Sequence, residues 1–367
     1  MNEPTYTFTV PSIHDDTSLD CRIYHPKALS RILHPDEARL RGAIVAHPYA
    51  PLGGCYDDET VLSVTECLLK QGYVVFTFNF RGAGDSAGKT SWTGKPEVDD
   101  YSTIVGLAIY YLQNLTIDPS PIELLLAGYS FGSLILARLP CISSIMQNFE
   151  SAETGTAARE IFLRAQTLAT QTRQVESQAK SSKAVTIGGE ETPSSSRRRS
   201  RDSRRSAEGR ISEIPHQIKS HIKRQKNTHR EEDDDEDDDA NIKIKIKISD
   251  SSSSSLIKIK LHYLLISPVL VPLTTLLLSP GIPFTSGTST AAAETTYLMR
   301  RHRTLIAFGS ADTFTSSKKL KTWCERLAEK SSGRLEWTEI ADAGHFWREK
   351  GVMRTLQKSI ISWLDAP

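Results

Sequence analysis

Three side chains of complementary chemistry stand far apart along this chain: Ser130, Asp312 and His345. A serine hydroxyl is a weak nucleophile near neutral pH. It becomes useful when an imidazole takes its proton and a carboxylate holds that imidazole in the right tautomer. Ser130 lies at the centre of Gly128-Tyr129-Ser130-Phe131-Gly132, between the apolar runs 124–126 and 134–139. The pattern reads as strand, tight turn, helix. In such a turn the serine occupies a strained backbone position, and the flanking glycines remove side chains that would collide with it. Its Oγ then stands at the C-terminal edge of a strand beside a helix N-terminus, where developing negative charge is favoured. A Gly-rich strand-to-helix turn without chemistry reads the same way, so the partners decide.

Asp312 follows the strand pattern T-L-I-A-F-G-S, 304–310, and His345 sits in Gly344-His345-Phe346-Trp347 after L-E-W-T-E-I, 335–340. Each lies just past the C-terminal end of a strand, where the loops of a parallel sheet converge. Their separation, 345 − 312 = 33 residues, is what one helix and one strand occupy. Singly, Asp312 reads as a turn aspartate and His345 as a buried histidine beside two aromatics. Jointly, in the order Ser, Asp, His and at those strand ends, they read as a catalytic triad. Asp342 is a competing acid, only three residues from His345 in the same loop and poorly placed to reach its Nδ1. Acyl chemistry also needs N–H donors aimed at the oxyanion. The amide of Phe131, directly after the nucleophile, is one. The second is expected from the loop after the strand at 43–46; Pro48 has no N–H, so Tyr49 is the first candidate after His47. His47 itself reads as a residue that orients this loop.

The elements that would position these residues alternate. Tyr6, Phe8, Val10 and Leu19, Cys21, Ile23 each alternate with polar residues, giving two half-buried antiparallel strands over 5–25. Strand 43–46, helix 59–70, strand 73–80 and helix 97–113 lead to the turn at Ser130. Strands at 261–267, 304–310 and 335–340, with helices at 317–330 and 352–364, follow. Strands alternating with helices imply a mostly parallel twisted sheet covered by helices on both faces.

That pattern is interrupted. From about 150 to 255 the composition turns to Ser, Arg, Lys, Gln, Asp and Glu with almost no aromatics, which predicts a disordered charged insert. The alternating strand–helix pattern would then be one domain in two parts, 1–149 and 256–367. Residues 197–230 hold 12 basic and 3 acidic side chains, and 231–239 hold 9 acidic ones, so the blocks cancel (+9 and −9). A solvated polyampholyte is the plain reading of this span; a nuclear-localisation, nucleic-acid or kinase site at 197–206 is the alternative. The alternation from Ile242 to Ile248 suits a two-faced strand. With a net charge of +1, no nucleic-acid partner is expected. Five scattered cysteines argue against a disulfide framework or a zinc site and suit a reducing compartment. The polar N-terminus is unlike a signal peptide. A cytoplasmic protein is expected, with nuclear placement as the alternative through the arginines. No Asp, Glu, Lys or Arg occurs between Lys260 and Glu294, but Pro268, Pro272, Pro280 and Pro283 would break a membrane span, so an apolar loop over the catalytic edge is predicted instead. No G-x-G-x-x-G or P-loop is present, and neither a cofactor nor a metal is expected.

Taken in order, H-P-Y-A-P-L-G-G, N-F-R-G-A-G-D-S-A-G, L-A-G-Y-S-F-G-S, L-L-I-S-P, F-G-S-A-D-T-F-T and A-G-H-F-W resemble the α/β-hydrolase superfamily. They are especially similar to its small cap-poor members of fungal and bacterial type. The likeness covers roughly 40–140 and 260–366. It implies the α/β-hydrolase fold, with Ser130 as nucleophile, Asp312 as acid, His345 as base, and Phe131 and Tyr49 as oxyanion donors. The stretch from Arg81 to Ser86 matches a structural loop. The insert departs from the superfamily pattern. The implied activity is hydrolysis of an ester or thioester of a small-molecule acyl substrate through an acyl-enzyme. A peptidase or acyltransferase on the same fold, or a catalytically idle interaction protein, are the alternatives, because fold does not fix function.

Overall fold

The computed structural model describes residues 3–27, 29, 40–116, 120–150, 152–184, 242–247, 254–270 and 301–366. The strands are β1 (Tyr6–Pro11), β2 (Ser18–Tyr24), β3 (Leu40–Ala46), β4 (Val74–Phe78), β5 (Ile122–Tyr129), β6 (Ile242–Lys247), β7 (Ser254–Ile266), β8 (Arg303–Gly309) and β9 (Leu335–Ile340). The α-helices among the described residues are α1 (Glu59–Lys70), α2 (Lys95–Leu115), α3 (Phe131–Leu136), α4 (Ile142–Glu150), α5 (Ala157–Ala184), α6 (Ser317–Ala328) and α7 (Val352–Asp365).

One sheet runs in the order β1-β2-β4-β3-β5-β7-β8-β9. The pairs β1/β2 and β2/β4 are antiparallel, and every later pair on that path is parallel. β6 joins off the path, antiparallel to β7, with Ile242 opposite Ile259. This is the mostly parallel sheet, covered by helices on both faces, expected from the sequence. Near-continuous Val, Leu and Ile in β3, β5 and β7 follow from burial of both faces. Side chains alternate across β5: Leu124 and Leu126 enter a core shared with α2, α4, α5 and α6, while Leu125 and Ala127 enter a second core beneath α1 and α7. Asp58 caps α1 by accepting from the N–H groups of Thr60 and Val61. The parallel strands all end at one edge of the sheet, and the loops leaving β3, β5, β8 and β9 carry Tyr49, Ser130, Asp312 and His345.

Within the span expected to be a charged insert, the structure places a 28-residue helix, α5. Ile161, Phe162, Ala165, Leu168, Ala169 and Thr172 are buried, and all but Thr172 belong to the same core as α2. Tyr6 and Tyr111 both hydrogen-bond the Thr172 hydroxyl, at 2.9 and 2.8 Å. The boundary at residue 150 is corrected accordingly: the core continues at least to Thr172. Composition misses it because these residues recur every three or four positions among polar ones, a period that averages out in a window. Most of the remaining insert, and the apolar loop expected after 270, lie outside the described residues. The chain divides into two compact units, Met1–Gln178 with Asp238–Pro367 and Ala179–Asp237; the candidate site lies in the first.

A deletion pair tests where the fold needs this span. Replacing 190–237 with a short Gly/Ser linker is expected to leave the melting midpoint nearly unchanged, because each doubling of loop length costs only about 0.6 kcal/mol. Replacing 150–255 removes the apolar face of α5 and the whole of β6, and is expected to abolish cooperative melting. Circular-dichroism melts of the two variants beside the intact chain give the comparison.

Candidate active site

Ser130 caps α3 with φ 54° and ψ −110°, a strained backbone for a residue with a Cβ. Its N–H donates to the carbonyl of Ile266 at 2.8 Å, and its own carbonyl accepts from Leu134 at 3.1 Å. Two glycines make the turn possible. A Cβ on Gly128 would meet the Gly132 carbonyl at 2.4 Å, and one on Gly132 would meet the Ala46 carbonyl oxygen at 2.6 Å. Helix α3 can therefore start directly against the ends of β5 and β3 only with both positions bare.

The structure brings the three candidates together. Ser130 Oγ lies 2.8 Å from His345 Nε2, and His345 Nδ1 lies 2.8 Å from Asp312 Oδ2. All three are buried, at 4, 4 and 8 % exposure. An ionised Asp312 can only accept, so Nδ1 carries the proton and Nε2 presents a lone pair to the serine hydroxyl. The second oxygen of Asp312 accepts from the N–H groups of Phe314 at 2.8 Å and Thr315 at 3.2 Å. Burial pushes the Asp312 carboxyl up, but the His345 hydrogen bond and charge, with these two amides, outweigh it and hold it below its ordinary value. Asp342 is exposed and its N–H is bound to Ser310 Oγ at 2.9 Å, while Asp312 occupies Nδ1 of His345.

The two candidate oxyanion donors are neighbours through their rings. Tyr49 and Phe131 meet edge-on at 5.2 Å between centroids, Phe131 meets Phe80 at 5.7 Å, and Phe80 meets His47 at 5.0 Å. Phe131 opens α3, where the first N–H groups have no intrahelical acceptor. His47 clamps the loop: its Nε2 accepts from the N–H of Phe80 at 2.9 Å, so Nδ1 carries the proton and donates to the carbonyl of Pro48 at 2.5 Å. Burial lowers its pKa to about 4, only partly opposed by that carbonyl, so His47 is a neutral structural residue. Arg81 has a similar structural part. Its guanidinium grips Asp100 at 2.9 and 2.7 Å and Asp15 at 2.9 Å, tying the loop after β4 to α2.

Burial likewise lowers His25 and His262 to about 4. Each such imidazole is neutral in the fold and charges near 6.5 in the unfolded chain, which therefore binds more protons between these values. The stabilisation is complete above pH 6.5 and is lost as pH falls from 6.5 toward 4, on the order of 3 kcal/mol for each fully buried group. Melting midpoints should drop steeply below pH 6.5, and His47→Gln should flatten the profile. A midpoint constant from pH 7 to 4.5 would contradict neutral burial.

One further residue beside the turn has a structural part. Ser133 is fully buried; its Oγ donates to the Gly128 carbonyl at 2.5 Å and accepts from the N–H of Ile266 at 3.1 Å. It pins the helix start to both β5 and β7. Ser133→Ala is expected to lower stability by about 1–3 kcal/mol, because it strands buried polar groups; urea unfolding measures it. Its spacing three residues after Ser130 was the only signal. Phe314, Tyr129 and Trp347 were also missed. The Tyr129 hydroxyl donates to the His345 carbonyl at 2.8 Å, and Trp347 Nε1 donates to Ser267 Oγ at 3.2 Å.

No protein-family model matches the chain. An uncharacterised protein of Rickettsia prowazekii is 35% identical over 97 residues, which is 26% of this chain, and the chain spans 38% of that protein's length. Among solved structures, the chain is similar to an alpha-beta serine hydrolase homologue from Coxiella burnetii, with 13% identity, coverage of 99% of this chain and 98% of that one, and a TM-score of 0.47. A serine hydrolase without a lid from Xanthomonas campestris gives 17%, 100%, 99% and 0.44. An esterase from Pyrococcus furiosus gives 12%, 99%, 92% and 0.47. No helix among the described residues is long and apolar enough to cross a membrane.

Proposed function

We propose that this chain is a serine hydrolase that cleaves an ester or thioester through an acyl-enzyme. The observation that carries the reading is the continuous relay Ser130 Oγ, His345 Nε2, His345 Nδ1, Asp312 Oδ2, with both gaps 2.8 Å, on a strained turn. His345 Nε2 takes the hydroxyl proton as Ser130 Oγ bonds to the carbonyl carbon. The resulting oxyanion is held by the N–H groups of Phe131 and Tyr49. When the tetrahedral adduct collapses, the bond to the alcohol or thiol breaks and His345 returns the proton to that leaving group. A water then gives its proton to His345 and its oxygen to the acyl carbon. Collapse of this second adduct releases the acid and restores the Ser130 hydroxyl.

The rim supports an apolar acyl group. Leu52, Trp92 and Phe346 are 57, 65 and 48 % exposed, on the loops after β3, β4 and β9. Large apolar side chains left in water on loops of the same sheet edge as Ser130 favour a substrate that covers them. An idle interaction module has no use for an aligned relay, and so ranks below the enzyme. The five cysteines, all among the described residues, form no disulfide, which suits a reducing compartment and supports a cytoplasmic setting. The test is labelling of the intact protein with a fluorophosphonate probe, followed by turnover of p-nitrophenyl esters of increasing acyl length. Absence of labelling at millimolar probe would overturn the reading.

A further inference from the structure

The loop that presents Asp312 also presents an aromatic ring to His345. The ring of Phe314 stacks on the His345 imidazole at 4.2 Å between centroids and 24° between planes. The same residue's N–H donates to Asp312 Oδ1 at 2.8 Å. Phe346 then meets the Phe314 ring edge-on at 5.6 Å and the imidazole at 5.5 Å. We propose that Phe314 is a positioning residue that holds both the acid and the base, its amide fixing the carboxylate and its ring seating the imidazole and stabilising the positive charge that the imidazole carries during turnover. This rests on the hydrolase reading above.

The argument is one of charge and geometry. In each half-reaction the imidazole becomes an imidazolium with Asp312 on one nitrogen. Its flat face is then the remaining route by which the protein can stabilise it. A cation over an aromatic face within about 6 Å is attracted to the ring's quadrupole, most strongly where water is excluded. At 3 % side-chain exposure for His345, water is excluded here. A stacked ring also blocks rotation of the imidazole, which would move Nε2 away from the serine. Leucine at 314 would keep the amide and most of the apolar contact, but not the quadrupole.

Apart from Phe346, which meets both rings edge-on, the groups facing His345 are fixed by contacts that do not involve the Phe314 ring; the Tyr129 ring lies tilted by 34° at 5.9 Å from the imidazole, further off than Phe314. Asp312 is at Nδ1 and Ser130 at Nε2. The Tyr129 hydroxyl is on the backbone carbonyl, Arg348 lies over Phe346 at 5.3 Å, and Glu349 accepts the N–H of Gly344 at 3.0 Å. Phe314→Tyr keeps the edge-on contact with Phe346, so the difference between the leucine and tyrosine variants reports the ring.

The experiment uses the full chain with Phe314→Leu and Phe314→Tyr, all checked for an unchanged melt. Phe314→Leu is expected to lower kcat about tenfold with KM nearly unchanged, and Phe314→Tyr to restore it to within about twofold. In parallel, the NMR signal of the His345 Nδ1 proton, held in the hydrogen bond to Asp312, should broaden and exchange faster with solvent in Phe314→Leu and not in Phe314→Tyr, because the stacked ring no longer seats the imidazole. This readout needs no turnover, so it tests Phe314 even if the chain proves not to hydrolyse esters. Wild-type kcat in Phe314→Leu, or an unchanged Nδ1 proton signal, would overturn the assignment. A loss in Phe314→Leu that tyrosine fails to restore would show a packing role only, and would overturn it too.

Discussion

Ser130→Ala is expected to abolish fluorophosphonate labelling and to lower ester turnover by about 10⁴- to 10⁶-fold, the range seen when the nucleophile of an acyl-transfer triad is removed. The fold should survive. Alanine retains the Cβ and loses only an oxygen whose described side-chain hydrogen bond is to His345. What the serine contributes to stability has the opposite sign to what it contributes to chemistry. At φ 54° its backbone is in a region that disfavours any residue with a Cβ. Ser130→Gly should therefore be inactive and more stable than the intact chain, by up to about 1–3 kcal/mol less the entropy that glycine adds to the unfolded state. A melting midpoint that rises while labelling vanishes would show that the strain is maintained for the reaction. Turnover retained in Ser130→Ala would remove Ser130 from the mechanism.

The split between what the sequence disclosed and what it hid follows from the range of the interactions. Strands and helices with a strong single period were legible: α1 spans Glu59–Lys70, the limits that its apolar face and Gly72 suggest. The turn at Ser130 was legible because Gly128 is required by a contact within five residues, its clash with Gly132, although Gly132 is itself required by the Ala46 carbonyl, which only the fold brings near. Helix α5 was not, because its core-facing residues are diluted by the polar side chains of a long exposed face. Phe314 was hidden for another reason. Nothing local distinguishes a phenylalanine two residues after an aspartate, and its partner ring lies 345 − 314 = 31 residues away in another loop. His47 was read correctly as an orienting residue, but its second partner, the amide of Phe80, becomes visible only when β3 and β4 pair.

Asp312→Asn is expected to lower kcat by about 10⁴-fold while leaving the surrounding structure in place. The two amides that fix the carboxylate dictate this. The N–H groups of Phe314 and Thr315 both point at Oδ1, so an asparagine settles with its carbonyl oxygen toward them and its NH₂ toward His345. That NH₂ can only donate, which forces Nδ1 to accept and moves the ring proton to Nε2. There it faces Ser130 Oγ and can no longer take the hydroxyl proton. Asp312→Ala leaves the imidazole free to adopt either tautomer, so the alanine variant should be the less damaged of the two at high pH. His345→Ala should lose as much as Ser130→Ala, and the double variant His345→Ala/Asp312→Asn should be no worse than His345→Ala, since the aspartate acts only through the imidazole. Measuring kcat for the single and double variants on one ester decides it. Losses that multiply would mean that Asp312 contributes independently of His345, and the relay read from the two 2.8 Å contacts would have to be abandoned.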